Sequence, residues 1–410
     1  MRLSFKHFGP GLIFAGAAIG VSHLVQSTRA GADFGLGLVW ALLLVNLCKY
    51  PFFQFGPRYT LATGESLLDG YLKMGKGLLW IYFLLTFTTM FTIQTAVTIV
   101  TAGIASSLFG DFISTKGWTL IILLICIGIL IRGRYSILDK LMKVIVIVLT
   151  VSTLTAVIIA LSNTSQHVSW IQKLPENAPE IGFLIAFMGW MPAPLDISIW
   201  HSLWALEKNK ENKSYSVKSS LFDFNVGYTA TIFIGFCFML LGTLVMFQSG
   251  EHFSAVGTVF SNQLISMYTK NLGSWAYVII GIAAFTTMFS TTLTTLDASP
   301  RAMVKTYELL LNKKSEKGYL FWMIFLILGT LAIFFLFQSE MVTLITIATI
   351  LSFLTAPFYA IVNYLLISGK HTPKEWRPSL KMHLASWIGI LFLMGFSIWY
   401  LTTLKHLFTV

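Results

Sequence analysis

The sequence predicts an all-α integral membrane protein of about eleven transmembrane helices, with helices 1 and 6 broken. Three observations carry that prediction. Of the 410 residues, 56% are hydrophobic and 11% charged, whereas a soluble fold needs about a quarter charged residues to cover its surface. Apolar runs near or above the roughly 20 residues that cross a bilayer recur from end to end, without the alternating ten-residue pattern of barrel strands. Two of those runs are interrupted at mid-depth by glycine, proline and polar side chains.

Taken in order, the spans fall at about 10–31, 36–56, 78–109, 117–131, 137–162, 181–205, 220–247, 274–296, 319–338, 341–367 and 383–404. No separate soluble domain stands out, so residues 1–410 read as one transmembrane domain. The opening MRLSFKHFGPG leads straight into a span with polar residues and offers no signal-peptide cleavage site. The N-terminus is therefore expected in the cytoplasm and, after eleven crossings, the C-terminus outside. Lys and Arg concentrate in cytoplasmic loops, and that orientation puts 22 of the 28 there. They include Arg2 and Lys6, Arg58, Lys73, Arg132, Lys208, Lys213 and Arg301, while Arg29, Lys116, Lys173, Lys270 and Lys405 lie outside and Lys49 sits within the second span. The net charge of +11 is then a topology signal, and no nucleic-acid partner is needed to explain it. Cys48, Cys126 and Cys237 all lie in apolar segments, where cysteine behaves as a small buried hydrophobe. The expected location is the cell inner (cytoplasmic) membrane, with the lipid bilayer as partner and the oligomeric state open.

The two interrupted spans carry the functional reading. The first contains GAAIGVSHLVQ, with Gly16, Gly20, Ser22, His23 and Gln26 at mid-depth; the sixth reads FLIAFMGWMPAPLDISIWHS, with Pro192, Pro194 and Asp196 in its middle. Two prolines spaced by one residue stop a helix, and irregular backbone at membrane depth is tolerated only in a protein interior or at a watery cavity. Spans 1 and 6 begin successive five-span units, over about 10–162 and 181–367. Five is odd, so the second unit is inserted inverted. Broken helices at matching positions of inverted repeats point to a secondary transporter with its site near the midplane.

On these residues the chain resembles the Nramp (natural resistance-associated macrophage protein) metal transporters. GPGLIFAGAAIGVSHLVQSTRAGADFG is similar to the family's first span, and RYTLATGE, GRYSILDKL, FTTMFSTTLTTL and LSFLTAPFYAIVNYLL follow in the family's order. The resemblance implies the leucine-transporter fold, with span eleven as an extra helix, and a divalent metal ion as substrate. The departures are specific. Where the family has Asp-Pro-Gly-Asn, this chain has Gly20, Val21, Ser22 and His23, so the metal-binding carboxylate is absent. The acidic pair that the family uses for proton movement falls on Gln94 and Val97, and its span-ten glutamine on Thr355. In span six, alignment on Met191 and Pro192 keeps the family's methionine but needs an insertion. An ungapped alignment on Trp200, His201 and Ser202 puts Asp196 at a histidine position and requires fewer assumptions.

The candidate substrate contacts are Gly20, Ser22, His23, Gln26, Met191, Pro192 and Asp196, with His23 and Asp196 as the metal ligands and Asp196 also a candidate proton carrier. The alternative for His23 and Asp196 is a hydrogen-bonded pair stabilising the breaks, and for Met191 simple packing. Gln94, Lys49, His201 and Thr355 are candidates for coupling or the pathway. Against this, Gln26 and Gln94 can be interhelical hydrogen bonds, Lys49 can snorkel or pair with a carboxylate, and His201 reads as a contact at the helix end. Asp223 and Asp297 read as solvated helix ends. No Gly-x-x-x-x-Gly-Lys-Ser/Thr stretch is present, so no nucleotide is expected. Nor is a catalytic constellation or a permanently bound cofactor. The leading expectation is metal import by alternating access, with proton coupling open. The runner-up is the same fold carrying a non-metal solute or anion, and a non-transporting receptor stands third.

Overall fold

The computed structural model describes residues 9–110, 112–163, 169–211, 215–247, 276–337 and 341–408, with 263, 265, 266 and 273 as isolated positions. Arg2, Lys6, Lys213 and Lys270, which entered the charge count, lie outside the described residues. The helices are α1 (Pro10–Ala18), a π-helical stretch (Ser22–Ser27) running into α2 (Thr28–Phe34), α3 (Val39–Thr63), α4 (Leu67–Met74), α5 (Lys76–Phe109), α6 (Thr115–Asn163) and α7 (Ala178–Trp190). They continue as α8 (Ile197–Glu211), α9 (Val217–Met246), α10 (Ala276–Leu311), α11 (Gly318–Phe337), α12 (Met341–Ser368) and α13 (Leu380–Phe408). No strand occurs among the described residues.

Among those residues, length and composition mark eight helical spans as membrane-crossing, or nine when the pair Pro10–Ala18 and Ser22–Phe34, bent by 48°, is taken as one span. The all-α membrane architecture holds, but this criterion does not reach the expected eleven. α3 carries Lys49 and Arg58, and the apolar α7 is only 13 residues long. Helical structure runs through α6 for 49 residues, about 74 Å if straight, so its apolar stretches Thr115–Arg132 and Tyr135–Ser162 count as two spans. The expected loop between them is absent.

Packing gives the helices two kinds of face. Leu47, Leu124, Ile158, Leu328 and Leu391 are each at least 60% exposed, an apolar surface that water does not tolerate but lipid does. The inner faces pack closely. α1 and α2 lie against α9, and a Cβ on Gly31 or Gly242 would overlap the Met239 or Thr28 carbonyl. Small residues there bring two backbones together.

Asp223 and Asp297 correct the sequence reading, because both are fully buried. α1 is preceded by Gly9 at its N-cap, which has no capping side chain, and the first amides need acceptors. Asp223 Oδ2 accepts from the Gly9 amide at 3.1 Å, the Gly11 amide at 2.8 Å and the Tyr215 hydroxyl at 2.9 Å. Asp297 accepts from Arg301 Nη2 at 2.7 Å and Nε at 3.1 Å, from Trp204 Nε1 at 3.0 Å and from the Tyr319 hydroxyl at 2.8 Å. Lys208 meets Asp139 at 2.9 Å with both side chains under a tenth exposed. These contacts tie α1 to α9, α8 to α6 and α10, and α10 to α11.

Candidate substrate site

The first break is held open from α10. α1 ends at Ala18, and carbonyls at a helix end have no intrahelical partner. The Ser290 hydroxyl donates to the Gly16 carbonyl at 2.9 Å, and the Thr291 hydroxyl to the Ile19 carbonyl at 3.2 Å. Gly20 sits under Thr291 so closely that a Cβ there would overlap its side chain.

The second break lies opposite. α7 stops at Trp190, the Met191–Pro192 bond is cis, and α8 begins at Ile197. The two breaks touch through Ser22, whose hydroxyl oxygen is 3.4 Å from the Pro192 carbonyl. A cavity lies between them, lined by Ala17, Ala18, Gly20, Val21 and Ser22 on one side and by Trp190, Ala193, Pro194, Ile197 and Trp200 on the other. Ile93, Val97, Thr291 and Thr295 close it from α5 and α10. Its side-chain polarity comes from hydroxyls and indoles, and no acidic or basic side chain lines it among the described residues.

His23 is fully buried and committed to the protein. Its Nε2 lies 3.0 Å from the Thr231 carbonyl, which can only accept, so Nε2 bears a hydrogen. In the neutral ring Nδ1 then accepts the Ser22 hydroxyl at 2.7 Å. His23 can therefore ligate an ion only by releasing one of these partners. Gln26 is also fully buried, and both atoms of its amide lack a hydrogen-bond partner. Met191 and Pro192 are buried at the end of α7, and Pro194 rather than Pro192 reaches the cavity wall.

Asp196 occupies the position before the first residue of α8. It is 5% exposed, and its Oδ1 has no hydrogen-bond partner. It interacts electrostatically with Lys49, Tyr82 and Tyr359. No hydrogen bond or ion pair joins it to His23, and among the described residues no group of three or more His, Cys, Asp or Glu side chains is placed to hold a metal ion.

The pathway candidates divide. Lys49 is fully buried, and its ammonium meets four main-chain carbonyls at the end of α7 rather than a carboxylate. Gln94 bridges α5 to α10: its amide donates to the Thr98 hydroxyl at 3.2 Å and the Thr292 carbonyl at 3.3 Å, and accepts from Thr295 at 2.7 Å. His201 is not a helix-end contact. It is fully buried between Phe14 and Phe224, each with its ring centroid 5.6 Å away, and neither of its nitrogens has a partner. Thr355 bonds back to its own helix at Leu351 and Ser352. One turn earlier, Ser352 reaches the break and accepts from Trp190 Nε1 at 2.8 Å.

The sequence reading passed over Ser290, Thr291 and Thr295. The signal was visible in TTMFSTTLTTL, where hydroxyls recur at i, i+4 spacing along one face, but threonine in a membrane helix usually bonds to its own backbone. Only the neighbouring break shows which hydroxyls reach beyond it.

With this geometry in place, comparison with known proteins assigns the chain. Residues 11–403 match the family model described as natural resistance-associated macrophage protein-like. The chain belongs to the Nramp family. It is 39% identical over 401 residues to the Pasteurella multocida (strain Pm70) protein PM0681, covering 96% of this chain and 91% of that one. Among solved structures, this Nramp chain superposes on an Eremococcus coleocola manganese transporter with a TM-score of 0.76 at 14% identity, covering 96% and 85% of the two chains. Mhp1, a nucleobase-cation-symport-1 family transporter, matches with a TM-score of 0.63 at 14% identity over 97% and 93%. At such identities the likeness establishes the leucine-transporter fold that the sequence resemblance implies. The Nramp chain is thus a multi-pass membrane protein of a transporter family.

Proposed function

We propose that this Nramp protein is a secondary transporter that imports a divalent metal ion by alternating access between its two inverted repeats. The observation that carries the reading is the pair of facing helix breaks, in contact through Ser22 and Pro192 around a common cavity. Family membership and the manganese transporter among the structural neighbours support the metal. The reading gives the ion oxygens from Ser22 and from the chain around Gly20 and Pro192, with Asp196 as the anionic group beside the break. His23, Gln26 and Met191 adjoin them. Asp196 is the group to carry a proton if transport is proton-coupled. The protein sits in the inner membrane with its N-terminus in the cytoplasm, and the metal passes through as substrate.

Uptake of Mn2+ into liposomes by the purified protein tests this, with and without a proton gradient. Flux is expected in wild type and a marked loss in Asp196→Asn. No flux of manganese, iron, magnesium or calcium sinks the metal reading, and wild-type flux in Asp196→Asn removes that carboxylate from the mechanism.

A second reading, a small solute or anion in the same cavity, is favoured by one observation: no carboxylate lines the walls among the described residues, while the Lys49 ammonium lies 3.3 Å from the carbonyl of the wall residue Ala193. Thermal stabilisation screened across metals, amino acids and small anions separates the two, because only a ligand of the folded state raises the melting temperature.

A further inference from the structure

The last carbonyls of a helix lack partners and carry partial negative charge. At the end of α7 they are met by a side chain from another helix. Lys49 of α3 places Nζ 2.8 Å from the Met188 carbonyl, 2.7 Å from Gly189, 3.1 Å from Met191 and 3.3 Å from Ala193. Two of these oxygens belong to the last turn of α7 and two to the extended chain beyond it. The lysine is wholly enclosed.

Four oxygens drawn around one buried point are what a small cation needs in place of its hydration shell. All four can only accept. The charged ammonium suits them, its three hydrogens shared among the four oxygens and no lone pair left, whereas a neutral amine would turn its lone pair against oxygen. Asp196 acts on Lys49 electrostatically, but no carboxylate forms an ion pair with it among the described residues. The carbonyls are therefore its direct partners, and removing the ammonium leaves them unmet in a dry interior.

We propose that these four carbonyls are a binding site for a small monovalent cation, permanently filled by the tethered ammonium of Lys49, and that potassium, ammonium or methylammonium binds there once the tether is removed. A transporter built this way carries one positive charge at the break through the whole cycle and needs no dissolved ion in that position. The inference does not depend on which substrate the cavity carries.

Lys49→Ala opens the site and Lys49→Met fills the space of the stem without a charge. Melting temperatures of the full-length protein are compared in choline chloride and in potassium, ammonium or methylammonium chloride at equal ionic strength. Both variants are expected to melt well below wild type in choline. Lys49→Ala should regain part of the loss, saturably, with at least one of the three cations, and wild type should not respond. Lys49→Met melting with wild type, or no cation raising Lys49→Ala, overturns the proposal. If neither variant accumulates, Lys49→Arg decides: under the proposal a charged donor suffices and Lys49→Arg accumulates, and its failure overturns the proposal. These readouts differ from manganese flux in wild type, so the failure of either idea leaves the other standing.

Discussion

Thr295 and Gln94 face each other across the α5–α10 contact, the Thr295 hydroxyl donating to Gln94 Oε1 at 2.7 Å while the other end of the amide donates to the Thr292 carbonyl at 3.3 Å. One side chain thus accepts from α10 and donates to it. An ionised carboxylate at this position can accept from Thr295 but has nothing to give Thr292. Gln94→Glu is therefore expected to destabilise the protein by about 1–3 kcal/mol near pH 8, because a buried ionised carboxylate gives up the bonds the amide donates to Thr98 and Thr292 and faces those oxygens with its own. Thermal unfolding measures it, and a Glu variant as stable as wild type means that the site was never built for an amide.

Gly20 and Thr291 fix how closely the first break approaches α10. Gly20→Ala puts a methyl group into the Thr291 side chain, an overpacking expected to cost about 1–3 kcal/mol. Thr291→Ala clears that space but gives up the hydrogen bond to the Ile19 carbonyl. The double variant should be more stable than the sum of the singles by about 0.5–3 kcal/mol, the range for residues in contact. Strict additivity in a double-mutant cycle would show that the two do not meet.

Asp297→Ala leaves the Arg301 guanidinium, whose side chain is 19% exposed, without its carboxylate. Removing one partner of a buried pair costs about 3–5 kcal/mol, because the other charge stays desolvated. Unfolding of the variant in detergent checks this; a loss below about 1 kcal/mol, the figure for a surface pair, means that water reaches Arg301.

Asp69 lies in α4, outside the membrane-crossing helices, and gives a pH signature. Burial alone would push its carboxyl pKa up, but the Lys305 ammonium at 2.7 Å and the Ser66 hydroxyl and amide at 2.6 and 2.9 Å outweigh that and hold it below the usual carboxylate range. A carboxyl lowered by folding contributes stability above its unfolded pKa, about 3.9, and loses it as pH falls through the lower folded value. The melting-temperature gap between wild type and Asp69→Asn should therefore hold steady down to about pH 5 and shrink below about pH 4. A gap unchanged at pH 3 contradicts the pairing with Lys305 and Ser66.

The amino-acid sequence by itself determined that this chain lives in a membrane, that it is helical, that spans 1 and 6 are broken and that it is Nramp-related. These follow from local signals: runs of apolar residues, glycine and proline positions, and short family-like motifs in order. Partners were another matter. A lysine in the second span reads the same whether it snorkels to an interface or reaches the end of α7, 139 residues away. Asp223 and Asp297 look like helix ends in water until the packing brings the first amides of α1 to one and Arg301 to the other. The pairing of His23 with Thr231 is likewise invisible before the fold forms. What a buried polar group costs depends on the atoms around it, and those come from distant segments whose register no local pattern carries. Tertiary structure therefore decided which polar residues line the cavity and which hold its walls.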